Sequence, residues 1–372
     1  MEPRAYLCAY LEARYLSEHA ELTPAARELV HSDVRTRPEK YAQTDHAQAL
    51  LAYTRAHEQL MAALASFDDL SDEEFERRRA QLFGEARGTF GRIAHEDQLC
   101  VDARLMTILL ADVPIDAALG DLLKLESEVR AHLTSGVTGF DLEAPHYWRA
   151  DELSARGLSA AERTVREPEV VGWLHVLEAL ANLCLASARY RPAISYARMV
   201  RAAVGYPNHA EGTVFLALAR LEDEEGFFSF AHELESESHT EDGTGSDAVA
   251  AAGAEISADL PVGAPLAVDD SPWYLLGRTL LLYKLGKRKP AQRSLRDFAA
   301  RCEGGAFFLL NPTYLDPYLP VRPAPREAWD LTHQAVWEAD GIIADTPDFV
   351  GWAEGVNGIF DSSEGFAARN GF

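Results

Sequence analysis

Residues 273–298 decide the fold class, and they read WYLLGRTLLLYKLGKRKPAQRSLRDF. Two apolar stripes run through this stretch at the three- and four-residue spacing that places side chains on one face of an α-helix. The stripes comprise Trp273, Leu276, Gly277 and Leu280, and then Ala291, Leu295 and Phe298. Between them Gly286 favours a tight turn. The stretch therefore predicts two antiparallel helices.

The rest of the chain follows the same periodicity. Val, Ile and Thr do not collect into alternating runs, so no strand is predicted. Thr23, Ser271 and Thr346 each precede a proline, which is typical of a capping side chain at the start of a helix. Ser71 and Glu74 have the spacing of a capping box. The predicted fold class is all-α.

The apolar stripe of the second helix also recurs along the chain. It occurs at Ala193, Ala197 and Val200, at Phe227, Ala231 and Leu234, and at Ala291, Leu295 and Phe298. The first two sets lie 34 residues apart and the last two lie 64 apart, which is 34 with an insertion of 30. A single helix pair cannot bury both of its faces, so we expect the pairs to stack and share a core.

These patterns predict four regions. They are an N-terminal helical region at 1–96, helical repeats at 97–235, a flexible acidic insertion at 236–270, and a C-terminal repeat with capping helices at 271–372. Between Arg220 and Arg278 there are 14 acidic residues and no Lys or Arg. Such a segment buries too little apolar surface to offset its ordering entropy. A solvated insertion is the favoured interpretation, and a partner-binding segment is the alternative.

The acidic composition limits the possible partners. The chain has 372 residues and a formal net charge of −24, with 59 Asp and Glu against 35 Lys and Arg. Nucleic acids and anionic membrane surfaces attract clustered positive charge, so neither is expected as a partner. We identify Leu105–Ala111 as the richest apolar stretch, and it is too short to span a bilayer.

The four cysteines point to the reducing environment of the cytoplasm. Cys8, Cys100, Cys184 and Cys302 form no C-x-x-C pair, and each lies in an apolar helical context. We expect them to be small buried side chains without a redox or metal-binding role. The N-terminus has no signal-peptide pattern, and the expected location is cytoplasmic.

The best enzymatic candidate in the sequence is the run His95-Glu96-Asp97 with Asp102. Histidine and carboxylates can bind a metal, but no second histidine follows at the spacing of a zinc motif. Carboxylates at a helix N-terminus are the favoured interpretation. We assign no catalytic, cofactor-binding or metal-binding residue, and we expect no cofactor and no enzymatic activity.

Several segments between about Cys100 and Ala353 carry a family resemblance. They are Asp97–Ala103, Leu183–Val204 with Arg189, Ala193 and Ile194, Tyr206–Gly212, Asn311-Pro312 with Pro317-Tyr318-Leu319, and Thr346-Pro347 with Trp352. In order and spacing they resemble a group of bacterial tetratricopeptide-like proteins that is related to the suppressor of tumorigenicity seven family. The chain departs from the group at His209-Ala210-Glu211 and at Val214, where polar residues are usual.

The resemblance implies antiparallel helix pairs stacked in a right-handed array, with a bias towards protein interaction. In tetratricopeptide stacks the first helix of each pair lines a concave groove that contacts a peptide. The residues that would line this groove are Glu178, Asn182, Thr213, Arg220, Tyr274 and Arg278. A groove that only covers its own core is an equally open interpretation.

The leading hypothesis is a cytoplasmic, non-catalytic helical-repeat scaffold that binds a protein or peptide. The alternative is a ligand-binding regulator or metal-dependent enzyme with a pocket between the N-terminal helices and the repeats. Convergent ionisable groups around His95, Asp97 and Asp102 would favour the alternative.

Overall fold

The computed structural model describes most of the chain. The described residues are 3–67, 71–137, 140–143, 145, 168–203, 206, 208–241, 266–315 and 327–372. Within these ranges there are sixteen α-helices, three short 3-10 helices and no strand. The all-α prediction is confirmed. Two compact units are formed, Met1–Leu180 with Ala202–Tyr206, and Ala181–Arg201 with Pro207–Phe372.

The first unit contains the N-terminal helices. They are α1 (Pro3–Glu18), α2 (Pro24–Thr36), α3 (Asp45–Leu64), α4 (Asp72–Glu96), α5 (Val101–Leu109), α6 (Ile115–Gly136) and most of α7 (Pro168–Ala186). Helix α1 packs on α2 and α3, and each later helix up to α6 packs on the one before it in the order α3, α4, α5, α6. Helices α7 and α5 approach closely, because a Cβ on Gly172 would lie 2.6 Å from the Cβ of Val101.

The second unit begins inside α7. Its other helices are α8 (Tyr190–Arg201), α9 (Ala210–Arg220), α10 (Glu224–Glu241), α11 (Pro272–Lys284), α12 (Arg288–Arg301), α13 (Gly305–Leu310), α14 (Asp330–Ala344), α15 (Phe349–Glu354) and α16 (Ile359–Asn370). Helix α9 packs on α8 and α11, and α11 packs on α12. Helix α14 contacts both α9 and α11.

Three turns in the second unit share one backbone geometry. Each places a residue in the left-handed region, namely Ala188, Glu222 and Gly286, at φ values of 60°, 58° and 73°. These residues lie 34 and 64 positions apart. In each turn the next N–H reaches back five residues, as in the Schellman motif. The bonds are Arg189 N to Cys184 O (2.7 Å), Asp223 N to Leu218 O (3.1 Å) and Lys287 N to Leu282 O (2.9 Å). The predicted turn at Gly286 is confirmed.

Trp273 lies in the core of the second unit, as its place in the apolar stripe predicts. Its side chain is 0% exposed. A Cβ on Gly212 would lie only 2.4 Å from the indole, so the Trp273 side chain of α11 packs directly on the backbone of α9 at this glycine. The indole stacks on His209, with ring centroids 5.4 Å apart. Its Nε1 donates a hydrogen bond of 2.9 Å to Glu338 in α14.

Two of the predicted helix starts are confirmed. The Thr23 hydroxyl accepts a hydrogen bond from a backbone N–H in the first turn of α2. Ser271 makes the same bond at the start of α11. Each is followed by a proline, whose lack of an N–H costs nothing at this position.

Two other predicted caps are wrong. The Thr346 hydroxyl donates a hydrogen bond to the carbonyl of Ile342 in α14, and α15 starts later, after Asp348 at φ 60°. Ser71 precedes α4 but makes no side-chain cap bond.

The predicted limits of the acidic insertion, 236 and 270, include residues that are helical. Helix α10 continues to Glu241, and a 3-10 helix covers Val268–Asp270 with Val268 buried. The part of the prediction at 242–265 lies outside the described residues, as does the Pro317-Tyr318-Leu319 segment of the resemblance.

We expect opposite effects from exchanging the residues of two equivalent turns. Gly286→Ala should lower the free energy of unfolding by about 1 kcal/mol, because a side chain in the left-handed region is strained. Ala188→Gly should raise it by up to about 1 kcal/mol, because it relieves that strain. Urea unfolding followed by circular dichroism measures both. Gly341→Ala, at a helical site with open space, is the control and should stabilise. A stabilising Gly286→Ala would contradict the turn geometry.

Trp273→Ala should destabilise the protein strongly. Truncating a fully buried tryptophan costs about 3–5 kcal/mol, a large share of a typical total stability. Thermal unfolding of the purified variant is the measurement. Phe360→Ala removes an aromatic side chain that is 51% exposed, and it should change stability by less than about 0.5 kcal/mol. Equal melting temperatures for the two variants would show that Trp273 is exposed in solution.

Candidate functional site

Tyr6, Asp102 and His175 form a cluster of buried polar side chains in the first unit. The Tyr6 hydroxyl donates a 2.6 Å hydrogen bond to Oδ2 of Asp102. The other carboxylate oxygen lies 2.9 Å from Nδ1 of His175. The three residues come from α1, α5 and α7, and their exposed fractions are 1%, 4% and 3%. The Asp102 carboxylate thus joins three helices.

The charge state of this cluster follows from its contacts. Burial alone would raise the pKa of the Asp102 carboxyl, but His175 nearby and the two hydrogen bonds outweigh burial and hold the pKa below its usual value. Burial and the Asp102 charge raise the pKa of Tyr6 well above its usual value. Asp102 is therefore ionised at neutral pH and can only accept, so Tyr6 and Nδ1 of His175 carry the hydrogens.

A second cluster lies around His46 in α3. Its Nδ1 is 2.5 Å from Oδ2 of Asp97, and its Nε2 is 3.8 Å from Oε1 of Glu169 at the start of α7. The ring also meets Tyr10 of α1 edge to face at 5.8 Å. The side chains of His46, Asp97 and Glu169 are 12–18% exposed. The cluster connects the loop after α4 with α3 and α7.

The candidate residues His95, Glu96, Asp97 and Asp102 do not form one site. His95 and Glu96 are exposed at the end of α4. Asp97 and Asp102 contact different histidines, in separate clusters. Asp97 and Asp102 thus take part in buried or half-buried side-chain contacts with histidines of other helices in the first unit.

Sequence reasoning missed Glu169, which contacts His46, and it missed the partners of the two carboxylates, which are Tyr6, His46 and His175. The contacts of the two carboxylates span 51 to 96 residues along the chain, and no local spacing reports them. One signal was present: His175 is a single imidazole inside the most apolar helix, where a buried polar group requires a partner.

The four cysteines are all buried, as predicted. Burial raises the pKa of each thiol, most strongly at Cys100, where Asp102 adds to the effect, and to about 12 at Cys302. None is therefore a thiolate nucleophile at neutral pH.

Three of the predicted groove residues are buried. Glu178, in the first unit, is 8% exposed, while Thr213 and Tyr274 in the second unit are 1% and 6% exposed. The Thr213 hydroxyl bonds to the amide oxygen of Asn182 at 3.4 Å. Tyr274 packs against Phe215, with ring centroids 5.2 Å apart.

The other three predicted groove residues, Asn182, Arg220 and Arg278, keep some exposed surface. Arg220 contacts the Tyr190 hydroxyl at 3.1 Å and Asp345, just after α14, at 2.6 Å. The Arg278 guanidinium lies 5.9 Å from the ring centre of Tyr274. Each arginine therefore packs against a tyrosine of its own unit.

Each unit has a small surface cleft. In the second unit a cleft of about 230 Å³ lies between the end of α12 and α16, lined by Arg301, Cys302, Glu303, Ser362, Phe366 and Arg369. A cleft of about 80 Å³ in the first unit is lined by Arg4, Leu7 and Glu58 among others. Both are smaller than typical pockets for organic ligands. Across the described ranges no three His, Cys, Asp or Glu side chains are grouped to hold a metal ion.

The longest apolar helix is α7, Pro168–Ala186, rather than the predicted stretch Leu105–Ala111. By length and composition alone it could cross a membrane, and 78% of its most apolar window is buried inside the protein. Buried core helices have the same character.

Comparison with known proteins found no match. No family model, no curated protein and no solved structure matches the chain.

We expect Asp102→Ala to destabilise the protein, because it leaves the buried Tyr6 and His175 donors without an acceptor, at about 1–3 kcal/mol each. The folded-state pKa of Asp102 is lowered, so its ionisation stabilises the fold above the unfolded-state pKa of about 3.9 and the effect is lost as pH falls through the folded-state pKa. The difference in the free energy of unfolding between wild type and variant should therefore decrease below about pH 4.

Urea unfolding at pH 7 and at pH 3–4 measures the effect. Glu96→Ala, at an exposed carboxylate in the same region, is the control and should change stability by less than about 0.5 kcal/mol. If Asp102→Ala unfolds at the same urea concentration as wild type at pH 7, the buried cluster does not hold the three helices together.

Proposed function

We propose that the chain is a non-catalytic helical-repeat scaffold that binds a protein or peptide partner. The observation that carries the proposal is the set of three matching turns at Ala188, Glu222 and Gly286. A shared left-handed residue and a shared five-residue hydrogen bond, at spacings of 34 and 64, are what a repeated helix pair produces.

The packing in the second unit supports stacked pairs. Helix α9 contacts the last helix of the preceding pair, α8, and the first helix of the next pair, α11. Such nearest-neighbour contacts build extended arrays, and repeat arrays are commonly used for protein binding. On this basis we propose a tetratricopeptide-like arrangement and a distant relationship to the bacterial group described above.

The enzyme alternative has weaker support. Its best candidates, Asp97 and Asp102, do sit among ionisable side chains. However, Tyr6, Asp102 and His175 are each less than 5% exposed, so a substrate has no access to them in this conformation. The hydrogen bonds of the Asp102 carboxylate to Tyr6 and His175 both join helices.

The partner surface is not the complete predicted groove. Thr213 and Tyr274 are buried, and α14 of the same chain contacts α9 and α11. Nearly every residue of α9 and α11 is buried. A groove on these two helices covers the chain's own core, which leaves the outer helix faces for a partner.

The proposal keeps the expected cytoplasmic location and a protein partner rather than nucleic acid or membrane. A net charge of −24 repels phosphate backbones and anionic lipid headgroups.

Affinity purification with the whole tagged chain as bait, followed by calorimetry with the purified partner, tests the function. We expect one protein to co-purify at a constant ratio and to bind directly. Arg220→Ala with Arg278→Ala should leave the affinity within about twofold, because these groove positions pack against tyrosines of their own unit. If no protein binds directly, and a metal ion or small molecule raises the melting temperature instead, the ligand-binding alternative is correct.

A further inference from the structure

Helix α12 and the turn before it concentrate positive charge in a strongly acidic chain. Residues 284–301 contain seven of the 35 Lys and Arg residues and one acidic residue, Asp297. The basic residues are Lys284, Lys287, Arg288, Lys289, Arg293, Arg296 and Arg301. Three of the five lysines of the chain lie here. The local net charge is therefore positive, while the whole chain is at −24.

Three of these side chains form one stripe on the outer face of α12. Lys289, Arg293 and Arg296 follow the i, i+4, i+7 spacing of a single helix face. All three are exposed, and the buried face of the helix is formed by Ala291, Ser294, Leu295 and Phe298. Among the described residues no carboxylate lies within ion-pair distance of this basic stripe, which is about 10 Å long.

The neighbouring basic residues at both ends are paired within the chain. Lys287 contacts Glu224 at 2.5 Å, and Lys284 contacts Glu222 at 3.2 Å. At the other end, Arg301 lies 3.5 Å from Asp270. Acidic side chains thus lie at both ends of the basic stripe, where they pair with the flanking basic residues. The three residues of the stripe itself are not among these pairs.

An aromatic surface adjoins one end of the basic stripe. The Arg288 guanidinium lies 3.5 Å from the ring centre of Tyr283. Trp352, which is partly exposed, packs on the same tyrosine with ring centroids 4.7 Å apart. Arginine and tryptophan are the residues most enriched where partner proteins bind tightly.

We propose that this outer face of α12 binds a short acidic segment of a protein partner. Carboxylates of the segment pair with Lys289, Arg293 and Arg296, and an apolar side chain packs beside Arg288 and Trp352. The inference rests on the proposed scaffold function and names its contact surface and the chemistry of its partner.

The acidic residues at the two ends of the basic stripe limit the class of partner that can bind there. A nucleic acid or an anionic membrane presents charge over tens of ångströms, and would have to lie against Glu222, Glu224 and Asp270 as well as the stripe. A short peptide meets only the stripe, whose length matches two turns of helix or three extended residues.

The test uses the full chain and a defined probe, a fluorescent 16-residue peptide of four Glu-Glu-Leu-Glu repeats, in anisotropy titrations at 50 and 300 mM NaCl. The test variant is Lys289→Glu with Arg293→Glu and Arg296→Glu. Reversing three contacts should weaken binding roughly 30–100-fold at low salt, and wild-type binding should weaken as salt rises. Circular dichroism should be unchanged, because all three side chains are exposed.

The matched control is Arg77→Glu with Arg92→Glu and Arg191→Glu, three exposed arginines on other helices. It makes the same change in net charge and should keep peptide binding within about threefold. Equal weakening in both variants would overturn the proposal, because net charge alone would then explain binding. Equally tight, stripe-dependent binding of single-stranded DNA or phosphatidylserine vesicles would also overturn it.

Failure of this inference is distinguishable from failure of the scaffold function. If the partner isolated with the whole chain binds the stripe variant with wild-type affinity, the α12 surface is wrong and the scaffold function stands. If no protein binds the whole chain, the scaffold function is wrong whatever the peptide does.

Discussion

The close approach of α9 and α11 is the constraint on which the second unit depends. Gly212 allows it, because any Cβ there would collide with the indole of Trp273. With the two helices this near, the indole is fully buried and its Nε1 can reach Glu338 of α14. The contact of the indole with the α9 backbone, its burial and its satisfied donor thus all depend on one glycine. A larger side chain at position 212 would displace the indole and so disturb all three features.

In the first unit, buried polar contacts fix the positions of the packed helices. Asp102 accepts from Tyr6 and His175, so a single ionised carboxylate positions three helices. A buried charge is tolerated there because both oxygens have donors. Such contacts specify geometry more sharply than apolar ones, since a shifted helix would leave donors without acceptors. This explains why ionisable groups converge among buried side chains.

Sequence periodicity predicted the helices well and their contacts poorly. The stripes at Trp273 and Ala291, and the turn at Gly286, were correct because amphipathic spacing and left-handed turns are local properties. The cap at Thr346 was wrong because its hydroxyl has an equally local alternative in the carbonyl of Ile342. The partners of Asp97 and Asp102 were missed because they lie more than fifty residues away. Thr213 and Tyr274 are buried by tertiary packing, and the repeat spacing in the sequence does not report that packing.

The contacts of helix α14 affect how the second unit unfolds. In an ideal array each pair contacts only its neighbours, so the ends can fray while the middle stays folded. Here α14 touches both α9 and α11, and Asp345 beyond its end binds Arg220 of α9. Loosening any one of these helices exposes surface on the other two. The consequence is cooperativity: these three helices open as a single unit and share one local unfolding free energy, instead of melting pair by pair.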